Sequence, residues 1–456
     1  MGKTGKKKTH HKSLLVGSNA TQIICVSFVL LIALGTLLLT LPAASRSGRL
    51  SVVDAMFTAT SATCVTGLVV RDTWTQFTMF GQVVILLLIQ VGGLGLVTLT
   101  SFFALAAKRR MGFRDLRLLG ESVSASGYSQ ATEVLKIVIR LAFLFEAIGI
   151  VLLAFAFVPQ FGLEGIWISI FTAISAFCNA GFDLFGRFGQ YSSLVPFVHN
   201  YYVQAVVMFL IMAGGLGFMV WVELGEWRKK RRLSLHAKVV LAFSAILWVG
   251  GAVLIALMEW SNPKTMGGFS ADGKIMAALF QSVTLRTAGF ASFNQDALTE
   301  ASKLLSNILM FVGGSSGSTA GGVKTVTMGL VVLSAVSTMR GRRQVTVFRR
   351  SISQQDISNA VSVALLVLGL SLFGAAVLTV CDRCSFLNAI YETTSALCTV
   401  GLTTGITGTL CAASKLILIV FMFFGRVGIM TIGVGFMMGD RARERVQYAE
   451  TKVMIG

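Results

Sequence analysis

Long apolar runs alternate with short polar breaks along this chain, and the runs come in two sizes. Eight of them, at about 20–42, 78–107, 134–158, 201–223, 239–259, 303–339, 357–380 and 414–438, reach the roughly 20 residues that a helix needs to cross about 30 Å of hydrocarbon. Between the members of each successive pair lies a shorter apolar piece, at about 52–64, 165–178, 274–286 and 386–398. A dozen or so helical residues cannot span a bilayer, so these pieces predict re-entrant half-helices. The order helix, half-helix with loop, helix thus occurs four times, and an internal repeat decides the fold class before any local signal does. The expected fold is an all-α integral membrane protein, with four such units around a central pseudo-fourfold pore. The expected division is a basic tail at 1–19, pore repeats at 20–117, 118–235, 236–350 and 351–439, and a C-terminal tail at 440–456.

Each half-helix ends in one signature. Residues 57–67 read FTATSATCVTG, 171–181 read FTAISAFCNAG, 279–289 read LFQSVTLRTAG and 391–401 read YETTSALCTVG. Non-helical backbone at membrane depth survives only where it is buried or lines a wet cavity, so the glycine-terminated ends are the expected pore lining. A dehydrated potassium ion needs a cage of oxygens in place of its water, which converging backbone carbonyls can supply. Carbonyls line up inward only at unusual dihedrals, and glycine adopts these without a Cβ penalty. The half-helix C-termini also turn negative partial charge toward the ion. The candidate filter strands are Val65-Thr66-Gly67, Asn179-Ala180-Gly181, Thr287-Ala288-Gly289 and Thr399-Val400-Gly401. None carries a second glycine two residues on, so a cage shorter and less selective than a potassium channel's is expected.

Composition fixes the solvent: 54% hydrophobic and 13% charged residues are too apolar a balance for a water-soluble chain of 456. Charge fixes the orientation. Basic clusters fall at 3–12, 108–117, 228–238, 340–350 and 441–452, at both ends and in the loops joining one repeat to the next. The positive-inside rule makes both termini cytoplasmic, with the half-helices entering from outside. The net charge of +19 is then mostly a topology signal, with anionic lipid as a partner and nucleic acid excluded for want of a soluble domain to carry it. Pro42 to Ser45 faintly resembles a leader cleavage site, but the fit of 20–42 as the first helix argues against cleavage.

A second motif follows each filter: Gly92-Gly93-Leu94-Gly95, Gly214-Gly215-Leu216-Gly217, Gly313-Gly314-Ser315-Ser316 and Gly425-Arg426-Val427-Gly428. The first two read as small residues for close helix packing. The third continues through Gly317, Ser318, Thr319, Ala320, Gly321 and Gly322 to Lys324, a run that cannot hold a firm helix. In the fourth, Arg426 replaces the second glycine inside an apolar span, and an intramembrane arginine marks function by default. A flexible loop and a fixed positive charge beneath a cation site make a gate.

On these filter segments, the Gly313–Gly322 loop and the Gly425-Arg426 pair, nearly the whole chain resembles the pore subunits of the Trk/Ktr/HKT superfamily of potassium transporters, closest to the bacterial Ktr-type membrane subunit. The resemblance implies potassium uptake across a bacterial plasma membrane, a homodimer, and a cytosolic ring of nucleotide-binding subunits (the KtrA/TrkA type) that controls opening. It makes Gly67, Gly181, Gly289 and Gly401 the filter glycines and Arg426 the gate's electrostatic partner, and glycine at all four positions goes with potassium preference. Potassium is then the transported ion, no covalently bound cofactor is expected, and nucleotide sits on the partner, in trans. Sodium stimulation stays open, as do an ion-coupled symporter and the membrane subunit of an ATP-driven pump. No nucleophile–base set points to an enzyme.

Other features have plainer readings. Gly317 to Thr325 nearly spells a phosphate-binding loop, but Val323 intervenes before the lysine and no strand precedes it. Cys64, Cys178 and Cys398 share one repeat position and read as small packing residues; Cys381, Cys384 and Cys411 leave a disulfide open. Glu146 is expected in a buried polar contact, and Arg286 with Glu392 in a buried pair bracing the filter.

Overall fold

A computed structural model of the chain describes residues 20–95, 128–342, 344–347 and 350–428. The expected tails, and the basic loop at 108–117, lie outside the described residues. Four long helices open the four sequence repeats: α1 (Ala20–Leu39), α4 (Tyr128–Phe161), α8 (Leu235–Glu259) and α12 (Gln354–Asp382). Each is followed by a short one: α2 (Val52–Thr63), α5 (Leu163–Phe177), α9 (Ala271–Thr284) and α13 (Phe386–Leu397). At 1.5 Å per residue, even the 15 residues of α5 reach only about 23 Å. Ser51 and Ser385 cap α2 and α13 by accepting from the Asp54 and Asn388 N–H groups.

The third helix of every repeat breaks. Helices α3 (Met79–Leu94), α6 (Tyr201–Gly215) and α14 (Ala412–Val427) each stop at the second motif. At the next glycine, Gly95, Gly217 or Gly428, φ is 84°, 91° or 93°, which only glycine adopts without strain. After Gly217 the chain resumes as α7 (Phe218–Lys230), bent 98° from α6. In the third repeat α10 (Glu300–Phe311) and α11 (Thr325–Met339) flank the Gly/Ser run. The apolar runs 201–223 and 303–339 are therefore two helices each. Gly in an apolar run costs about 1 kcal/mol relative to Ala, a penalty that the sequence pattern alone does not turn into a break. A two-residue hairpin, β1 (Thr346–Val347) and β2 (Arg350–Ser351), precedes α12.

Burial runs opposite to a water-soluble protein. The short helices are enclosed, and they carry hydroxyls: Thr58, Thr60, Ser61, Thr63, Thr172, Ser175, Ser282, Thr284, Thr393 and Ser395 are all buried. The long helices turn Leu30, Phe155, Leu257, Phe373 and Val380 outward, the last of them 80% exposed. Apolar flesh outside a polar centre fits a hydrocarbon solvent. Among the described residues three helices, counting Leu135–Phe161 within α4, are by length and composition able to cross a bilayer, or four if the bent α6–α7 pair is one span.

Candidate ion-conduction site

Three of the four short helices end in the same cap. In the first, the Val65 N–H bonds Ala62 O at 3.2 Å and the Thr66 N–H bonds Ser61 O at 2.8 Å. Asn179 and Ala180 do the same to Ala176 and Ser175, and Thr399 and Val400 to Ala396 and Ser395. This is a Schellman closure, which needs a left-handed residue at its turn. That residue is Val65 (φ 56°), Asn179 (58°) or Thr399 (51°), with Thr287 (64°) at the matching place in the third repeat. A left-handed β-branched residue is an outlier and costs about 1–3 kcal/mol, a strain typical of functional backbone. Two residues on, Gly67, Gly181, Gly289 and Gly401 take positive φ as well. The third repeat closes differently, Ala288 N–H bonding Thr284 O at 3.0 Å.

Hydroxyls hold these turns. Ser61 and Ser395 accept from the Gly67 and Gly401 N–H groups at 3.1 and 3.0 Å. Ser175 and Thr284 instead donate to Phe182 O and Phe290 O, at 2.6 and 2.7 Å. The serine six residues before the glycine is visible in three of the four aligned segments, a signal that reading only the glycines misses.

The four glycines meet in a closed ring. A methyl group added at Gly67 would stand 2.5 Å from Ala180 O; at Gly181, 2.9 Å from Ala288 O; at Gly289, 2.8 Å from Val400 O. One added at Gly401 would come closer still to Thr66 O. Each glycine thus abuts the carbonyl preceding the next repeat's glycine, in cyclic order. The hydroxyls of Thr63, Thr66, Thr287 and Thr399 are buried here without a hydrogen-bond partner among the described residues. Above the ring opens a cavity of about 510 Å³ lined by all four glycines.

Beneath it, the second motif packs as its small residues predict. A side chain at Gly92, Gly214 or Gly425 would drive into the last carbonyl of the repeat's own short helix, Thr63, Phe177 or Leu397. The Gly313–Gly322 run lies directly under the ring, Gly321 and Gly322 against Thr399 and Cys398. Its anchors are backbone bonds to the broken α6–α7 pair: Ser315 N–H to Gly215 O (3.0 Å), Thr319 N–H to Gly214 O (3.2 Å), and Phe218 N–H to Gly317 O (3.0 Å). Thr319 Oγ1 also donates to Phe177 O at 3.1 Å. Arg426 donates to Thr319 O in the run and to Gly92 O, and to Gly93 O at 2.9 Å, so one guanidinium bridges the loop to the first repeat. Lys324 Nζ donates to Ala320 O at 2.6 Å.

Arg286 and Glu392 do not pair. Arg286 reaches down, donating to Gly313 O (3.1 Å) and Thr325 Oγ1 (2.6 Å) over the Trp248 ring. Glu392 accepts from Thr403 Oγ1, the Thr404 N–H (3.1 Å) and Thr407 Oγ1 (2.9 Å). Nearby threonine donors satisfy Glu392, and Arg286 finds its acceptors in the third repeat's own loop and helix, so the two groups do not meet. Ties between repeats run elsewhere: Lys415 to Asp54 (2.8 Å), and Lys303 to Asn388 (3.2 Å). Glu146 accepts from Gln90 Nε2 at 2.9 Å. All seven cysteines, Cys381, Cys384 and Cys411 included, are free thiols, and no cluster of metal-ligating side chains occurs among the described residues.

Comparison with known proteins follows the same architecture. The family model "TrkH: Cation transport protein" matches residues 2–443. The chain is 37% identical to the potassium/sodium uptake protein NtpJ of Enterococcus hirae, over 95% of this chain and 97% of that protein. It is 37% identical to the Ktr system potassium uptake protein B of Bacillus subtilis, over 95% and 96%, and 35% to its Vibrio alginolyticus namesake, over 95% and 94%. Its fold superposes on the potassium transporter TrkH from Vibrio parahaemolyticus with a TM-score of 0.70 at 19% identity, covering 93% of this chain and 86% of that one. With the family model covering nearly every residue and Ktr-type proteins at this identity along the whole chain, the protein belongs to the TrkH cation transport family.

Proposed function

We propose that this chain takes up potassium across a bacterial plasma membrane through a channel-like pore on the axis of the glycine ring. The ring itself carries the reading: four strands, two left-handed residues in each, closing on one another with carbonyls between. Alternating left-handed residues turn successive carbonyls toward one side, which is how backbone oxygens replace a water shell. The twelve residues from Val65–Gly67, Asn179–Gly181, Thr287–Gly289 and Thr399–Gly401 form that filter, potassium being cargo rather than a resident cofactor. The short helices enter from outside, their C-terminal partial negative charge facing the ion, and both termini are cytoplasmic. The Gly313–Gly322 loop is the gate, with Arg426 and Lys324 holding it closed beneath the filter.

Control comes from a partner subunit. Relatives are named as parts of a "Ktr system", and α7 runs from its bond with the gate loop into the basic stretch at Arg228–Arg232. A cytosolic nucleotide-binding ring docked there would pull on the loop through α7. The membrane unit is a homodimer embedded in lipid.

The deciding experiment is rubidium uptake into liposomes at varied proton and sodium gradients. A conducting pore follows the rubidium gradient alone. Uptake that collapses with the proton or sodium gradient shows a symporter, and uptake that demands ATP hydrolysis by a co-purified ATPase shows a pump. The sodium arm matters because NtpJ is named for both ions.

A further inference from the structure

The positions two residues beyond the filter glycines form a second layer. Val69, Asp183, Ala291 and Thr403 all line the cavity of about 510 Å³ above the glycine ring. Four repeats could have put four like groups there, but the layer holds one hydroxyl, two apolar side chains and one carboxylate. Asp183 is the one carboxylate among the described residues lining the cavity, and no Lys or Arg joins it.

Its geometry leaves it free to act. Oδ1 accepts from the Phe185 N–H at 2.9 Å, which fixes the carboxylate at the cavity wall. Oδ2 has no hydrogen-bond donor among the described residues. The other acids nearby are occupied: Asp72 accepts from Thr75 N–H (2.8 Å), Thr75 Oγ1 (3.0 Å) and Tyr191 N–H (3.0 Å). Glu392 is spent on its three threonine donors behind Thr403. Arg187, in the same turn, pairs with Glu164 at 3.1 Å and stacks on Phe161 and Trp74, so it does not neutralise Asp183. At roughly 30 Å³ per water, the cavity has room for an ion with its first shell.

We propose that Asp183 is an outer cation site, holding a hydrated monovalent cation over the ring before the ion sheds its water. This rests on the ring's being the ion path and adds a station to it. A charge at this depth, at the end of a cleft with low-dielectric walls, raises the local cation concentration. It attracts without dehydrating, so it sets affinity and leaves the choice between potassium and sodium to the ring below.

The test is Asp183→Asn in the full chain, read as rubidium uptake in liposomes. Asn keeps the oxygen that accepts from Phe185 and removes only the charge. The half-saturating concentration should rise roughly 5- to 30-fold at low ionic strength and the gap should shrink in concentrated N-methylglucamine salt. The maximal rate and the rubidium-to-sodium ratio should stay. Adding Val69→Asp or Ala291→Asp to the variant returns a charge to the same layer and should restore affinity. An unchanged constant in Asp183→Asn overturns the site, as does a raised constant that neither addition lowers. The ring is judged apart: Gly67→Ser shifts the ion ratio if the ring selects, whatever Asp183 does.

Discussion

Replacing the filter glycines by serine should impair selectivity in a set order, worked from the ring itself. Cβ atoms essentially never come within 3.0 Å of a heavy atom outside their own residue and its chain neighbours. Serine at Gly67 must therefore push the Ala180 carbonyl back by about 0.5 Å, from 2.5 Å; at Gly401 the Thr66 carbonyl must move further. At Gly289 the Val400 carbonyl, at 2.8 Å, falls short by only about 0.2 Å, and at Gly181 the Ala288 carbonyl, at 2.9 Å, by about 0.1 Å. Each serine also carries left-handed strain, at φ between 68° and 95°, of about 1–2 kcal/mol. A carbonyl turned off the axis forfeits a charge–dipole contact of about 1.5–3 kcal/mol, which is about 10- to 100-fold in half-saturation. The expected order of damage is Gly401→Ser, then Gly67→Ser, then Gly289→Ser and Gly181→Ser together. The assay is rubidium uptake with sodium as competitor, normalised to folded protein by size-exclusion chromatography. Wild-type constants in Gly401→Ser and Gly67→Ser, or a reversed order, would refute the argument that these glycines aim the carbonyls.

Arg426→Ala removes a charge-assisted bond to the gate loop worth about 1.5–3 kcal/mol, so flux per folded molecule should rise about 10- to 100-fold toward a ceiling, and deletions within Gly313–Gly322 should act alike; flux at or below wild type in both would sink the gate. Phe218→Pro keeps a residue suited to the first position of α7 but deletes the N–H that bonds Gly317, so it should cut the partner's influence on flux severalfold while Phe218→Ala does not, and equal partner dependence in both variants rules out α7 as the link. Burial lifts the Asp183 carboxyl to about 7, against the pull of the Phe185 N–H and with added repulsion from Asp72. Its folded value exceeds an ordinary carboxylate's, so ionisation costs stability as pH rises, and the charge is present only above about 7. Apparent affinity should fall as external pH drops from 8 to 6 and stay level in Asp183→Asn; parallel profiles would remove Asp183 as the titrating group.

What could be read in advance was whatever constrains the backbone. Apolar runs too short to span, glycines where φ must be positive, and the Gly/Ser run at 313–322 each restrict conformation locally, so each leaves a mark in the sequence. Partners across space leave none. Arg286 and Glu392 read as a pair because both are charged and lie near filters, but Arg286 bonds Gly313 and Thr325, far along the chain, and Glu392 bonds three neutral threonines after Gly401. The breaks at Gly95, Gly217 and Gly428 were hidden for another reason. A Gly-Gly-Leu-Gly run is compatible with a packed membrane helix or with its end, and only contact with the short helix's last carbonyl decides. Arg426 stands out by its cost in hydrocarbon, whereas its bridge to Gly92 and Gly93 depends on where the first repeat's helix stops.

The ring also has a consequence in time. Its closing contact joins Thr66 to Gly401, so the first strand waits on the membrane while most of the chain is still being made. At about 5–20 residues per second, that wait lasts on the order of half a minute. During it three strands face an open side, and the lysine that ties the fourth unit to the first, Lys415 on Asp54, has not yet been synthesised. A ribosome that stalls before residue 401 therefore leaves the ring of glycines open on the side where the Gly401 strand closes it against Thr66.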